Sequence, residues 1–340
     1  MIHTVPNPAQ LQLTRLHMQK NHFEDTVIVG GGPIGLACAI SARKCGIDPL
    51  IIEAGAIADA IVRYPIGMGF FTTPELLEIG GHPFVSVGQK PTREEALKYY
   101  RGVVRADRLR VQTYNKLVTA QRIDDVIRCT VATPNGETSI DCNRLVLATG
   151  YFGEPNLMNV PGESLPFVSH YFDEPHRSFG LDVVVIGGRN SAVEAALELF
   201  RAGARVTLVY RGTVFPASVK YWVKPDIENR IAAGEISARL GATVLRIEQG
   251  EVIIRNAEGL EEKLHADRVY ALTGFRADFA LFRRLGIELE PDTERASVNP
   301  DTLETNVPGI YMAGSIVAGR YTSGIFIENG RFDGDKIFRC

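Results

Sequence analysis

The chain has 340 residues, with 37 basic and 40 acidic side chains and a formal net charge of −3. That balance gives no footprint for nucleic acid or an anionic membrane, and no apolar run approaches the roughly 20 residues that span a bilayer. The length exceeds what one hydrophobic core usually supports, so two domains are expected.

Residues 1–24 carry no apolar h-region and are expected to be a leader or short surface helix, not a secretory signal. The five cysteines, Cys38, Cys45, Cys129, Cys142 and Cys340, are irregularly spaced and form no C-x-x-C pair. That usage predicts reduced thiols in a cytoplasmic protein and argues against a disulfide framework or a metal site.

Thr26 to Val29 is a β-branched run expected as a strand, and Gly30, Gly32 and Gly35 follow it at G-x-G-x-x-G spacing. The first two glycines allow a tight turn and close approach to a pyrophosphate, and the third lets the helix lie on the strand. Pro33 suits the first helical turn, where its missing N–H has no partner to lose. Backbone N–H groups at that helix start face an anion. The next apolar strand, Pro49 to Ile52, ends in Glu53, whose carboxylate can accept hydrogen bonds from a ribose diol. Together these read as a dinucleotide-binding βαβ unit.

Ala60 to Glu78 is rich in aromatic residues, Gly and Pro and is expected as a ligand-facing loop. It can lay Tyr64, Phe70 or Phe71 against a flat ring, although core packing is the ordinary use of any one of them. Thr92 to Val104 is expected as an amphipathic helix with a Thr92/Glu95 capping box. Strands are expected at Leu109 to Tyr114, Val126 to Thr133 and Glu137 to Asp141, with Asn135-Gly136 as a hairpin turn. Arg144 to Gly150 is an apolar strand closing on Ala148, Thr149 and Gly150, small residues suited to a backbone passing close to a cofactor.

Val183 to Ala204 repeats the strand, glycine turn and helix, and Arg205 to Tyr210 is the next strand. Here Gly187 and Gly188 are followed by Arg189, which stands where the second fingerprint glycine would be. Asn190 or Ser191 is placed to cap the helix. At the position matching Glu53 stands Arg211. An acid would repel a 2′-phosphate and an Arg accommodates it, which predicts NADPH over NADH. Lys220 is a second candidate for the same phosphate. Val244 to His265 reads as a small antiparallel insert, and Arg268 to Gly274 echoes the earlier strand ending in Thr-Gly. Thr305 to Ser315 is expected as a strand entering another glycine turn, and Ile325 to Cys340 as a closing helix.

With GGGPIG at 30–35, LATG at 147–150, VIGGRNSA at 185–192, VYRG at 209–212 and GIYMAGS at 309–315 in this order, the chain resembles the flavin-dependent pyridine nucleotide-disulfide oxidoreductases of thioredoxin reductase shape. The likeness runs over nearly the whole chain. It implies an α/β fold of two Rossmann-like, three-layer ββα domains, with an FAD domain at 25–155 and 278–340 interrupted by an NADPH domain at 156–277. It implies FAD contacts from Gly30, Gly32, Pro33, Ile34, Gly35, Glu53, Tyr64, Thr149, Gly150, Gly314, Ser315 and Ile325. For NADPH it implies Gly187, Gly188, Arg189, Asn190, Ser191, Arg211, Lys220 and Gly274.

Thioredoxin reductases carry a dithiol just before the second βαβ unit; here the matching stretch is VSHYFDE, 168–174, which holds no sulfur. IGGRNSAVEAALEL, HYF and IFIENGRF resemble instead the bacillithiol disulfide reductase-like branch, which also lacks the dithiol. That likeness implies NADPH-driven flavin reduction followed by reduction of a low-molecular-weight disulfide. Members of the branch usually have Cys where this chain has Ile34. Cys38, one helical turn on, is either a substitute nucleophile or a small core residue. Ser315 stands where many relatives have Asp. His170 and Tyr171 are candidates to border the flavin. Two other readings stay open: an NADPH-dependent reductase of flavodoxin or ferredoxin, and a non-enzymatic FAD/NADPH redox sensor. The likeness also implies a cytoplasmic homodimer or larger homo-oligomer, and the missing dithiol implies less need for domain rotation.

Overall fold

In a computed structural model, residues 22–321 and 324–340 are described. Apart from His22 to Glu24, the expected leader lies outside the described residues. Those three open strand β1, His22–Val29, which therefore starts earlier than the β-branched run. Helix α1, Pro33–Lys44, and strand β2, Leu50–Glu53, complete the first βαβ unit. Val27 to Val29 and Leu50 to Glu53 are buried on both faces, as a parallel strand covered on both sides requires.

The expected loop after Glu53 contains two short helices, α2, Asp59–Val62, and α3, Pro74–Leu77. Helix α4, Arg93–Ala106, begins with the expected box: the Glu95 amide donates to Thr92 Oγ1 and the Thr92 amide to the Glu95 carboxylate. Strands β3, Arg110–Thr113, β4, Lys116–Ile123, β5, Val126–Thr133, and β6, Gly136–Leu147, follow. The sequence does not announce β4, whose mixed polar pattern is that of an exposed edge strand.

The two strands expected at 137–141 and 144–150 are one strand. β6 runs beside β1 from Ile140 to Leu147, while its other edge pairs first with β5 and then with a later strand, β17 at Ile310–Met312. A change of partner within one strand looks like a turn in sequence. The first sheet has the order β3-β2-β1-β6-β5-β4, with β17 on β6. Its two faces follow the period-two rule: Ile28, Ile51 and Val146 pack under α1, and Val27, Val29, Leu145 and Leu147 face the opposite core.

A second, all-parallel sheet of order β11-β10-β9-β15-β8 is built from β8, Val168–Ser169, β9, Asp182–Ile186, β10, Arg205–Tyr210, β11, Ser237–Leu240, and β15, Arg268–Ala271. Helix α5, Asn190–Arg201, covers it. The expected insert is a three-stranded meander of β12, Thr243–Glu248, β13, Glu251–Arg255, and β14, Glu261–His265. The chain passes between the two sheets through a short antiparallel pair, β7 at Glu154–Pro155 and β16 at Phe275–Arg276.

Two expectations fail near the C-terminus. The closing helix is two short ones, Ile327–Gly330 and Asp333–Ile337. Gly330 lies against Ile34 and Gly314 with little room for a side chain, and Gly334 lies so close to Cys38 and Ser41 that a side chain there would collide. The chain bends to place both glycines on α1, where Ser41 donates to Asp335 at 2.7 Å. The expectation of five reduced thiols also fails, because the fold brings Cys45 and Cys340 together with a Cα separation of 5.4 Å as a disulfide. Spacing along a chain cannot report a pairing made by folding. Cys38, Cys129 and Cys142 remain free and buried.

Candidate functional site

The first glycine turn connects β1 to α1 at the carboxyl edge of the parallel strands, where ligands of open α/β sheets bind. Gly30 has φ +114°, and a Cβ there would lie 2.4 Å from the Ala148 carbonyl oxygen. At Gly35 a Cβ would lie 1.9 Å from the Gly30 oxygen, so helix and strand approach as the third glycine permits. Gly32 differs, because a Cβ built on it meets nothing within 4 Å. It opens onto free space at the start of α1, with Pro33 in the first helical turn.

Glu53 completes this edge. Its Oε2 accepts from the Gly31 amide at 2.6 Å and its Oε1 from the Gly55 amide at 2.7 Å, which leaves each oxygen a lone pair for a diol. Burial pushes its carboxyl above the usual range, partly offset by those two amides. At the end of β6, Thr149 Oγ1 is buried without a hydrogen-bond partner among the described residues, next to Gly150 at φ +65°. A buried hydroxyl of this kind needs a partner, which water or a bound ligand supplies. On the facing turn, the Gly314 amide donates to Asp333 Oδ2 at 2.7 Å, and Ser315 is half-buried beside it. Asp333, which the sequence did not single out, thus brings a carboxylate to the turn that carries Ser315. Ile34 fills the gap between Gly314 and Gly330, and Ile325 packs on the same glycine.

The second turn has a different build. A Cβ on Gly187 would meet the Leu272 carbonyl oxygen at 2.5 Å, and one on Gly188 would enter the Tyr210 ring. Arg189 is the N-cap of α5, with no side-chain cap. The expected cap from Asn190 or Ser191 is therefore absent: Asn190 instead clasps the following loop, accepting from the Lys220 amide at 2.9 Å and donating to the Ser218 carbonyl at 3.0 Å. Ser191 is exposed. Arg189 and Arg211 are exposed and unpaired among the described residues, the first at the start of α5 and the second just past the end of β10. Lys220 is not free for a phosphate. Its ammonium pairs with Glu194 and sits 3.3 Å from the centroid of the Phe71 ring. The Thr-Gly echo also has another use here, because Thr273 Oγ1 donates to the Asn156 carbonyl at 2.6 Å and Gly274 pairs with the same residue.

Between the two carboxyl edges lies an aromatic seam. Tyr64 meets Phe152 edge-on at 5.0 Å, Phe152 lies 4.1 Å from Phe275, and Tyr171 packs on both Phe152 and Phe275. Burial raises the Tyr64 phenol well above its ordinary range, and it has no hydrogen-bond partner among the described residues. His170 is held between two acceptors: one ring nitrogen lies 3.1 Å from the Ala271 carbonyl, and the other faces Glu163 at 3.6 Å. Phe152 and Phe275 went unnoticed in the sequence, since nothing in their neighbourhoods announces a seam made by residues more than a hundred positions apart.

Cys38 belongs to the core. It is 0% exposed on α1 beneath the last helix, and burial beside Asp333 and Asp335 drives its thiol far above the ordinary range. A thiol that does not ionise and has no access cannot attack a disulfide. Replacing Cys38 by Ala should leave disulfide turnover within about twofold of the parent, at a stability cost of about 1 kcal/mol. Steady-state NADPH oxidation and a thermal melt check both.

A family model for pyridine nucleotide-disulphide oxidoreductases matches residues 27–314. The chain is 42% identical over 314 residues to bacilliredoxin reductase Bdr of Bacillus subtilis (strain 168), covering 92% of this chain and 96% of that one. The solved structure of bacillithiol disulfide reductase Bdr (YpdA) from Bacillus cereus matches with a TM-score of 0.91 at 42% identity, over 94% of this chain and 98% of that one. A ferredoxin–NADP reductase of Ignicoccus hospitalis is 28% identical over 329 residues, 93% of this chain and 98% of that one. The chain therefore belongs to the pyridine nucleotide-disulphide oxidoreductase family, and it is an NADPH-dependent flavin oxidoreductase that uses FAD.

Proposed function

We propose that this protein reduces a low-molecular-weight disulfide of the bacillithiol disulfide class with electrons from NADPH, in the cytoplasm and as a homodimer or larger homo-oligomer. The observation that carries this reading is the stretch Tyr171 to Glu174, which holds no sulfur and places Tyr171 in the seam. The outgoing electrons then have no protein dithiol to cross, and the acceptor must come to the flavin itself.

The first glycine turn holds FAD in this reading, in the domain formed by 25–155 and 278–340, and the second holds NADPH in 156–277. Gly30, Gly32, Pro33 and Gly35 shape the pyrophosphate cradle, and Glu53 takes the ribose diol. Thr149, Gly150, Gly314, Ser315 and Ile325 line the path toward the ring, with Ile34 as packing beneath it and Tyr64 as an aromatic wall. Gly187, Gly188 and Gly274 let the backbone come close to the second nucleotide, with Asn190 and Ser191 at the helix start. Arg189 reaches the pyrophosphate and Arg211 the 2′-phosphate. When bound, the cofactors supply a hydride from nicotinamide C4 to flavin N5 and then two electrons that, with two protons, split RSSR into two RSH. The chain's own contribution is orientation and exclusion of water.

The ferredoxin–NADP reductase likeness favours a second reading, delivery of single electrons to a carrier protein. An acceptor screen separates them: NADPH oxidation is followed with bacillithiol disulfide, other small disulfides, ferredoxin and flavodoxin. Turnover with bacillithiol disulfide at least about tenfold above the carriers is expected. The reverse ratio moves the function to electron transfer, and a flavin that NADPH does not bleach leaves a redox sensor.

A further inference from the structure

We propose that Tyr171, together with Arg63, is a positioning pair that pins the NADPH unit to the FAD unit in the one orientation hydride transfer needs; this rests on the cofactor assignment above. Tyr171 follows β8 in the second unit, yet its hydroxyl donates to the Phe152 carbonyl of the first at 3.2 Å, with the Gly153 carbonyl at 3.3 Å. Arg63, at the end of α2, donates to the same hydroxyl at 3.2 Å, and its guanidinium lies 5.6 Å from the Tyr171 ring centroid. Arg63 is fixed in turn by Asp59, one helical turn back, through Nε at 2.8 Å and Nη2 at 2.6 Å. Two residues beyond Tyr171, the Asp173 carbonyl accepts from the Ile66 amide at 2.8 Å.

The sulfur-free stretch is thus stitched to the 59–66 segment by side chain and backbone together. Besides those stitches, the units are joined by β7 and β16, a pair of only two residues each with little stiffness of its own, and by the side-chain contacts of Lys220 on Phe71 and Lys90 on Trp222. A segment that carried a dithiol would have to face the flavin in one half-reaction and a partner in the other. This segment carries no group that must move, so a fixed orientation costs the reaction nothing, and holding the reacting atoms aligned raises the rate of the step. Tyr171 also packs its ring on Phe152 and Phe275 in the seam, which adds a side-chain contact between the units.

The test uses the full-length FAD-loaded protein and the variants Tyr171→Phe, Tyr171→Ala, Arg63→Ala and the double alanine variant. Stopped-flow mixing with NADPH gives the limiting rate of flavin reduction and the apparent Kd separately, and small-angle X-ray scattering without NADPH reads the arrangement of the two units. The expected result is a limiting rate about tenfold lower in each alanine variant and in the double variant alike, with Kd within about twofold. Tyr171→Phe keeps the ring contacts and should lose about threefold. Scattering of the alanine variants should show a larger radius of gyration. An unchanged limiting rate and scattering profile in Tyr171→Phe and Arg63→Ala, or a loss confined to Kd, overturns the proposal. If the parent flavin is not bleached by NADPH, the cofactor reading falls, while the scattering still decides whether the pair pins the units.

Discussion

Gly35→Ala is expected to purify without flavin colour. Its Cβ would stand 1.9 Å from the Gly30 carbonyl oxygen and 3.0 Å from the carbon of the same group, both backbone atoms fixed in the β1–α1 turn. No flexible side chain can yield, so α1 must lift from β1. That movement dismantles the phosphate cradle and the core beneath it at a cost of about 4 kcal/mol or more. Gly32→Ala is the informative partner. Gly32 has φ −79° and ψ 177°, which any residue adopts, and its Cβ meets no protein atom within 4 Å. This variant should fold with a melting temperature near that of the parent, yet its methyl enters the space proposed for the pyrophosphate, so it should retain less FAD. Flavin absorbance per protein and melts with and without added FAD distinguish the two. Parental flavin content in Gly35→Ala would refute the assignment of this turn to FAD.

Arg211→Ala should raise the NADPH KM by about tenfold to a hundredfold while leaving the NADH KM within about twofold. A charged hydrogen bond to a phosphate is worth about 1.5 to 3 kcal/mol, and only NADPH carries the 2′-phosphate that would lose it. The guanidinium is exposed and unpaired among the described residues, so removing it breaks no internal ion pair and stability should be unaffected. Lys220→Ala is a useful contrast: its ammonium is engaged by Glu194 and the Phe71 ring, so the cofactor preference should hardly move. The ratio of kcat/KM for the two coenzymes reads both results. A preference unchanged in Arg211→Ala but lost in Lys220→Ala would exchange their roles.

The sequence by itself determined the two βαβ units, the glycine turns, Glu53 and Arg211, because each is a local pattern: a β-branched run, a turn that only glycine can make, and a charged residue at a strand end. It also determined that the stretch before the second unit has no dithiol. Only the tertiary structure decided that Cys45 and Cys340 pair and that Cys38 is sealed in the core. Likewise it turned Lys220 away from solvent and onto Phe71, joined two apparent strands into β6, and assembled Tyr64, Phe152, Tyr171 and Phe275 into one seam. The physical reason is range. Backbone geometry and periodicity are set by neighbours within a few residues, whereas pairing, burial and the availability of a side chain are set by whatever distant segment the packing of the two sheets brings against it.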